Sequence, residues 1–275
     1  MSFGLFIIAI FAGLVGSMSG QGGGVILIPA LTFLGFDIKQ AIAISSLSVI
    51  SISTAAAPGY LRRHMPNFNT GAFLEACAIV GALGGALITL ASGKRILFFL
   101  CGSILLTSWL VLRKPREQSP KPIVHQDALS QWLRLEGSYY DNVEGRTIAY
   151  RGTHAALAGL LTFGAGLITG LLGIGGSALI VLILEGVMRL PTKVSLTTSN
   201  LIIGVVALAG ANVYLEAGLI NLWLVPPVIL GAPLGALIGS RFLVHLENQK
   251  ARAIFFGVLV ILGIEMIVHG IRGVS

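Results

Sequence analysis

Two short glycine clusters stand out for the chemistry their backbones could do. "GQGGG" runs from Gly20 to Gly24, and "GIGGS" runs from Gly173 to Ser177. Each interrupts a stretch of apolar residues. Glycine costs a helix roughly 1 kcal/mol relative to alanine, and a helix that stops inside lipid leaves N–H and C=O groups unpaired. The N-terminus of a helix at such a stop presents free N–H groups and the positive end of the helix dipole, which suits an anion. Glycine also lets a ligand approach that backbone closely.

Hydroxyl and amide side chains gather beside both clusters. The first has Ser17, Ser19, Gln21, Ser45, Ser46 and Ser48; the second has Ser177, Thr197, Thr198, Ser199 and Asn200. Such groups donate hydrogen bonds to an oxyanion without a fixed charge, which permits release. The candidate binding set is Gly20, Gln21, Gly22, Gly23, Ser45, Ser46, Gly173, Gly175, Gly176, Ser177, Thr198, Ser199 and Asn200, with a small anion as ligand. For any single serine the plainer alternative is a bond to its own helix or a neighbouring one. The amides of Gln21 and Asn200 are harder to hide in lipid.

Other chemistry finds little footing. There is no buried carboxylate pair or catalytic triad. Both glycine clusters lack the trailing Lys-Ser/Thr and the flanking strand of a nucleotide-phosphate loop. Cys77 and Cys101 have no His or Cys partner at ligand spacing, so they read as packing residues. The expectation is no enzyme, no cofactor and no metal. Glu75, Glu185 and Glu265 read as interface residues, with proton coupling as the alternative.

The elements that must position these clusters are membrane helices. Of 275 residues, 55% are hydrophobic and 11% charged, against about 25% charged in an average soluble domain. Ile96 to Leu112, Ser195 to Leu215 and Leu219 to Ser240 contain no Asp, Glu, Lys or Arg, and Ala72 to Ala91 contains only Glu75. These blocks approach the roughly 20 apolar residues that span a bilayer. The fold class is an all-α polytopic membrane protein. The net charge of +7 then reflects basic cytoplasmic loops and not nucleic acid. The apolar N-terminus, with no basic residue before it, does not read as a cleaved signal peptide.

The chain repeats itself. "FAGLVGSMSGQGGGVILIPAL" from Phe11 matches "FGAGLITGLLGIGGSALIVLI" from Phe163 with a single-residue slip, which places Gly20, Gly22 and Gly23 opposite Gly173, Gly175 and Gly176. A Ser/Thr-rich helix follows each: "AIAISSLSVISIST" from Ala41 and "VSLTTSNLIIG" from Val194. "GALGGAL" from Gly81 is matched to "GAPLGAL" from Gly231, and each half closes on an apolar helix, Ile96 to Leu112 and Ala253 to Val268. This gives a first membrane repeat over 1–112, a polar linker over 113–152 and a second repeat over 153–275. "GSYYDNVEGRTIAYR" predicts a small β-hairpin in the linker.

Phe3 to Phe36 would make one straight helix of about 50 Å, against a hydrocarbon core of about 30 Å. It fits two arms of about 13 to 16 residues at the helical rise, arranged as a broken crossing or as a hairpin that enters and leaves on one face. If both glycine segments are hairpins, the 18 Lys and Arg residues divide fourteen to four, with Lys39, Lys94, Arg95 and Arg272 as the minority. The positive-inside rule favours that topology. Its consequence is six crossing helices, two repeats of opposite orientation, a cytoplasmic linker and external termini. Inverted repeats with interrupted helices are a transporter design.

These residues resemble the TauE/SafE family of membrane permeases, also called the sulfite exporter or toluene-sulfonate uptake permease group. The likeness rests on "GLVGSMSGQGGGVILIPAL", "GLITGLLGIGGSALIVL", "PTKVSLTTSN", "GSYYD" and "GAPLGALIGSRF", and covers most of the chain. It implies a multi-pass protein of the bacterial inner-membrane type that moves sulfur-containing or carboxylated organic anions such as sulfite or sulfonates. The first glycine loop departs from the family pattern at Gln21 and the second at Ser177, which bears on the substrate. A coupling proton or sodium ion and a homodimer are left open. The alternative to a secondary transporter working by alternating access is a non-transporting membrane scaffold or assembly protein. That alternative expects no aqueous cavity between the glycine breaks.

Overall fold

Each glycine cluster separates a long helix from a short one. The computed structural model describes residues 2–19, 22–61, 66–112, 126–141, 146–243 and 260–271. Helix α1 (Ser2–Ser19) precedes the first cluster and α2 (Gly24–Phe33) follows it; α7 (Ala155–Leu172) and α8 (Ser177–Gly186) flank the second. The arms are therefore 18 and 10 residues long in both halves, and not the near-equal arms expected from the sequence. The chain then needs a left-handed residue, supplied by Gly22 at φ 75° and Gly173 at φ 59°.

The remaining elements repeat in the same order. In the first half come α3 (Ile38–Leu61), α4 (Phe68–Ala91) and α5 (Lys94–Leu112). The linker holds α6 (Ala128–Trp132), β1 (Glu136–Asp141) and β2 (Arg146–Arg151). The second half continues with α9 (Thr192–Glu216), α10 (Val225–Leu243) and α11 (Val260–Ile271). The described residues include four helices long and apolar enough to cross a membrane, with windows Ile38–Ala55, Phe68–Ala91, Ala155–Leu172 and Thr192–Glu216. The predicted hairpin is present, antiparallel, with Tyr139 opposite Ile148.

The two halves are joined by exchanged helices. α1 packs on α10, and α4 on α7. Both seams are backbone to backbone. A methyl group on Gly231, Gly235 or Gly239 would meet the carbonyls of Phe6, Ile10 and Leu14 in turn, and one on Gly81 or Gly85 would meet those of Phe163 and Leu167. The contacts advance together along both chains, so the helices of each pair run parallel. Small residues at every fourth position allow that approach. Ile10 and Phe163 hold matching places in the repeat, and so do Leu14 and Leu167. The seams therefore pair Gly81 with Gly235 and Gly85 with Gly239, one helical turn away from the Gly81–Gly231 match read from the sequence. The seam fixes the true register through shape, where the letters of the two motifs fit either way.

α3 and α9 cross at the centre. Ser53 Oγ donates to Asn200 O at 2.5 Å, and Val49 shares a small core with Ile203 and Ala207. α9 also runs beside α4. Asn67 N donates to Thr198 Oγ1 at 3.1 Å at the start of α4, while Thr89 and Tyr214 both reach the last turn of α7 near the ends of their helices.

At the linker end, Thr153 N donates to Met188 O at 3.3 Å. The residues just before α7 and just after α8 are thus neighbours. The β-hairpin packs Tyr139, Ile148 and Tyr150 into the core that holds Leu74, Ala155 and Met188. Asn67 ties the hairpin to α4. Its Oδ1 caps the helix by accepting from Thr70 N at 2.9 Å, and its Nδ2 donates to Tyr150 Oη at 3.2 Å and Glu136 O at 3.3 Å. Asn67→Ala is expected to cost about 1–2 kcal/mol for the lost cap, read as a lowered unfolding temperature in detergent.

At the opposite end, Asp37 bridges Lys94 at 2.7 Å and accepts from Lys39 N at 2.8 Å. Lys39 Nζ caps α4 by donating to Leu90 O at 2.8 Å. Burial alone would raise the Asp37 carboxyl pKa, but Lys94 and Lys39 outweigh it and hold it below its ordinary value. This clamp contributes fully above the ordinary carboxylate pKa. It is lost as pH falls through the lowered one.

Candidate functional site

The two breaks meet each other. A methyl group on Gly22 would stand 3.4 Å from Gly175 Cα, and one on Gly24 would stand 2.5 Å from Gly173 O and 3.2 Å from Ile174 Cα. Gly22 and Gly175 are counterparts in the repeat, so each half contributes the same backbone position to the centre. Gly23, Gly24 and the whole run 173–178 are buried. Gly20 and Gln21 lie outside the described residues.

The hydrogen-bonding groups at the second break divide sharply. Most of the carbonyls at the end of α7 are taken. Tyr214 Oη donates to Gly170 O, Thr89 Oγ1 to Leu171 O at 2.5 Å and Ser45 Oγ to Gly173 O at 3.0 Å. Gly173 N caps Thr169 O at 2.8 Å. The donors that begin α8 are not taken. Gly176 supplies no side-chain cap, and the N–H groups of Ser177 and Ala178 have no acceptor among the described residues. Ser177 Oγ, on a residue only 2% exposed, is also without a partner. The first break shows the same feature: Gly23 caps α2 without a side chain, and Gly24 and Val25 N–H find no acceptor among the described residues.

A buried unpaired donor costs about 1–3 kcal/mol. Here such donors stand at the positive, N-terminal ends of two helices whose glycine breaks touch. The arrangement can receive an acceptor, and an anion best of all. A cation would find Gly170 O, Leu171 O and Gly173 O already engaged. Among the described residues no group of three His, Cys, Asp or Glu could hold a metal ion.

The other predicted residues hold varied places. Ser45 reaches across the halves to Gly173 O and also donates to Ile42 O at 2.8 Å. Ser46 donates to Ala43 O at 2.7 Å and Ser199 to Leu196 O at 3.0 Å, each in its own helix. Thr198 accepts from Asn67 N. Asn200 supplies its carbonyl to Ser53. Beyond the candidate set, Ser17, Ser48 and Thr197 also donate to carbonyls of their own helices.

Thr89 and Tyr214, which finish α7, were not candidates from sequence. Their signal was a lone hydroxyl in an apolar run, "GALITLA" and "GANVYLEA", remote from either glycine cluster. Thr169, four residues before the second cluster, was also not a candidate; its hydroxyl lies against Gly176.

A family model described as "Sulfite exporter TauE/SafE" matches residues 5–266. "Probable membrane transporter protein YunE" of Bacillus subtilis (strain 168) is 26% identical over 279 residues, covering 97% of each chain. "Probable membrane transporter protein YdhB" of the same organism is 25% identical over 240 residues, covering 86% of this chain and 87% of its own. No solved structure matches.

Proposed function

Since the chain belongs to the sulfite exporter TauE/SafE family and is a multi-pass membrane transporter, we propose that it is a secondary transporter of small sulfur-containing or organic anions such as sulfite or sulfonates. Transport proceeds by alternating access, with the anion received at the meeting of the two glycine breaks. The observation that carries this reading is the split at the second break: Gly170 O, Leu171 O and Gly173 O are capped by Tyr214, Thr89 and Ser45, while the donors of Ser177 and Ala178 meet no acceptor among the described residues. Gln21 and Asn200 complete the set as amide donors, and a proton or sodium ion drives the cycle.

The two halves, 1–112 and 153–275, act as inverted repeats about the linker 113–152, each a re-entrant hairpin plus three crossing helices. The Thr153–Met188 bond supports a hairpin that enters and leaves on the linker face. The parallel seams α1–α10 and α4–α7 support opposite orientation, because α1 and α7 then start from opposite faces. Single cysteines replacing Arg134, Arg189 and Lys94, in a chain without Cys77 and Cys101, are expected to label from the linker face, the linker face and the opposite face in that order. Arg189 labelling with Lys94 would leave α7–α8 as a broken crossing.

The functional test is uptake or release of labelled sulfite, sulfonates and carboxylates by the purified protein in liposomes. Saturable flux of one of these is expected, and it is lost in Gln21→Ala and Asn200→Ala. Unchanged flux in both variants removes those side chains from the site.

A further inference from the structure

The hydroxyls of Thr89 and Tyr214 lie outside both glycine clusters, yet both end on the last turn of α7. The final carbonyls of any helix have no partner within it. At α7 these orphans stand at the same break as the free N–H groups of α8, separated by the four residues 173–176. Left uncapped, Gly170 O and Leu171 O would put the negative end of the α7 dipole beside the positive end of the α8 dipole. Such a site would suit a cation with oxygen ligands as well as an anion, the arrangement in which helix C-terminal ends hold a sodium ion. Thr89 is fully buried, and its one hydroxyl proton has Leu171 O as the nearer acceptor at 2.5 Å, with Gly85 O of its own helix at 3.1 Å. Tyr214 is fully buried and gives its only phenolic proton to Gly170 O. Hydroxyls are costly to bring to such depth in an apolar helix bundle, and each is spent on a carbonyl at the break.

We propose that Thr89 and Tyr214 set the charge preference of the break: by capping Gly170 O and Leu171 O they withdraw two acceptors that a cation would use and tip the break towards its free N–H donors. They are positioning residues, acting on the ligand through the α7 carbonyls. This rests on the reading of the break as an anion site.

The test compares the wild type with Thr89→Val, Tyr214→Phe and the double variant, all purified in detergent. Two quantities are read. One is sulfite affinity, or that of whichever anion of the panel the wild type binds. The other is the rise in unfolding temperature on replacing choline by sodium. The double variant is expected to bind the anion about tenfold more weakly, about threefold for each of the two acceptors left unmet, and to gain a sodium-dependent stabilisation larger than that of the wild type. Thr89→Ser restores both values in the single-site series. If the double variant fails to fold, each single variant carries the same expectation at about threefold. Unchanged anion affinity overturns the proposal. So does weaker affinity without a new sodium response, since a merely structural defect produces that. A wild type that binds no anion of the panel instead removes the anion reading itself.

Discussion

Ser177→Ala is expected to make the ligand-free protein more stable while lowering its anion flux at least tenfold. The two effects share one cause. The Ser177 hydroxyl is buried and has no partner among the described residues, so the folded protein carries its desolvation cost, about 1–3 kcal/mol. Alanine removes the oxygen and changes the volume little. A gain of about 1 kcal/mol follows, read as a higher unfolding temperature. The same oxygen is a donor at the start of α8. A hydrogen bond to a charged ligand is worth about 1.5–3 kcal/mol, and each 1.4 kcal/mol is a factor of ten in affinity. Ser199→Ala is the control, because its hydroxyl donates to Leu196 O in its own helix and moves neither quantity appreciably. Equal flux for Ser177→Ala and the wild type would place the substrate elsewhere.

Gly235→Ala and Gly85→Ala are each expected to destabilise the protein by about 1–3 kcal/mol, the range for overpacking a filled interior. A methyl group on Gly235 would overlap the Ile10 carbonyl, and one on Gly85 would overlap the Leu167 carbonyl. Backbone cannot swing aside as a side chain can, so the helices must part along the whole seam. Gly84, one residue from Gly85, has nothing within 4 Å of its added methyl. Gly84→Ala should be neutral or stabilise by up to about 1 kcal/mol through helix propensity. Unfolding in detergent, compared across the three variants, checks the contrast. Similar losses at Gly235 and Gly85 would also support the register that the seams define. Equal stability of Gly84→Ala and Gly85→Ala would mean that the seam is not the tight contact described.

Much of this architecture is legible in the sequence because membrane helices are written in composition. The repeat, the paired breaks, the linker hairpin and the apolar blocks need only counting. What cannot be read that way depends on which helices touch. "GALGGAL" and "GAPLGAL" share letters in one register while their backbones fit in another, since any small residue satisfies a motif but only one spacing satisfies a seam. The site shows the same limit. Ser177 is visible beside its glycines, and its unpaired hydroxyl stands at the break. Ser46 and Ser199 are equally visible, yet their hydroxyls turn back on their own helices. Thr89 lies 82 residues from Leu171, and no periodicity within either segment announces that bond. Tyr214 is hidden likewise, because its partner is a carbonyl and carbonyls carry no letter.

The exchange of helices between halves has a consequence for synthesis. α1 ends at Ser19, and α10, which covers it, begins only at Val225. Until most of the chain has emerged from the ribosome, α1 sits in the bilayer with its tightest contact surface facing lipid or the insertion machinery. α7 finds α4 already waiting. The two equivalent joints therefore form at very different times, the second half locking as it is made and the first remaining open until nearly the end.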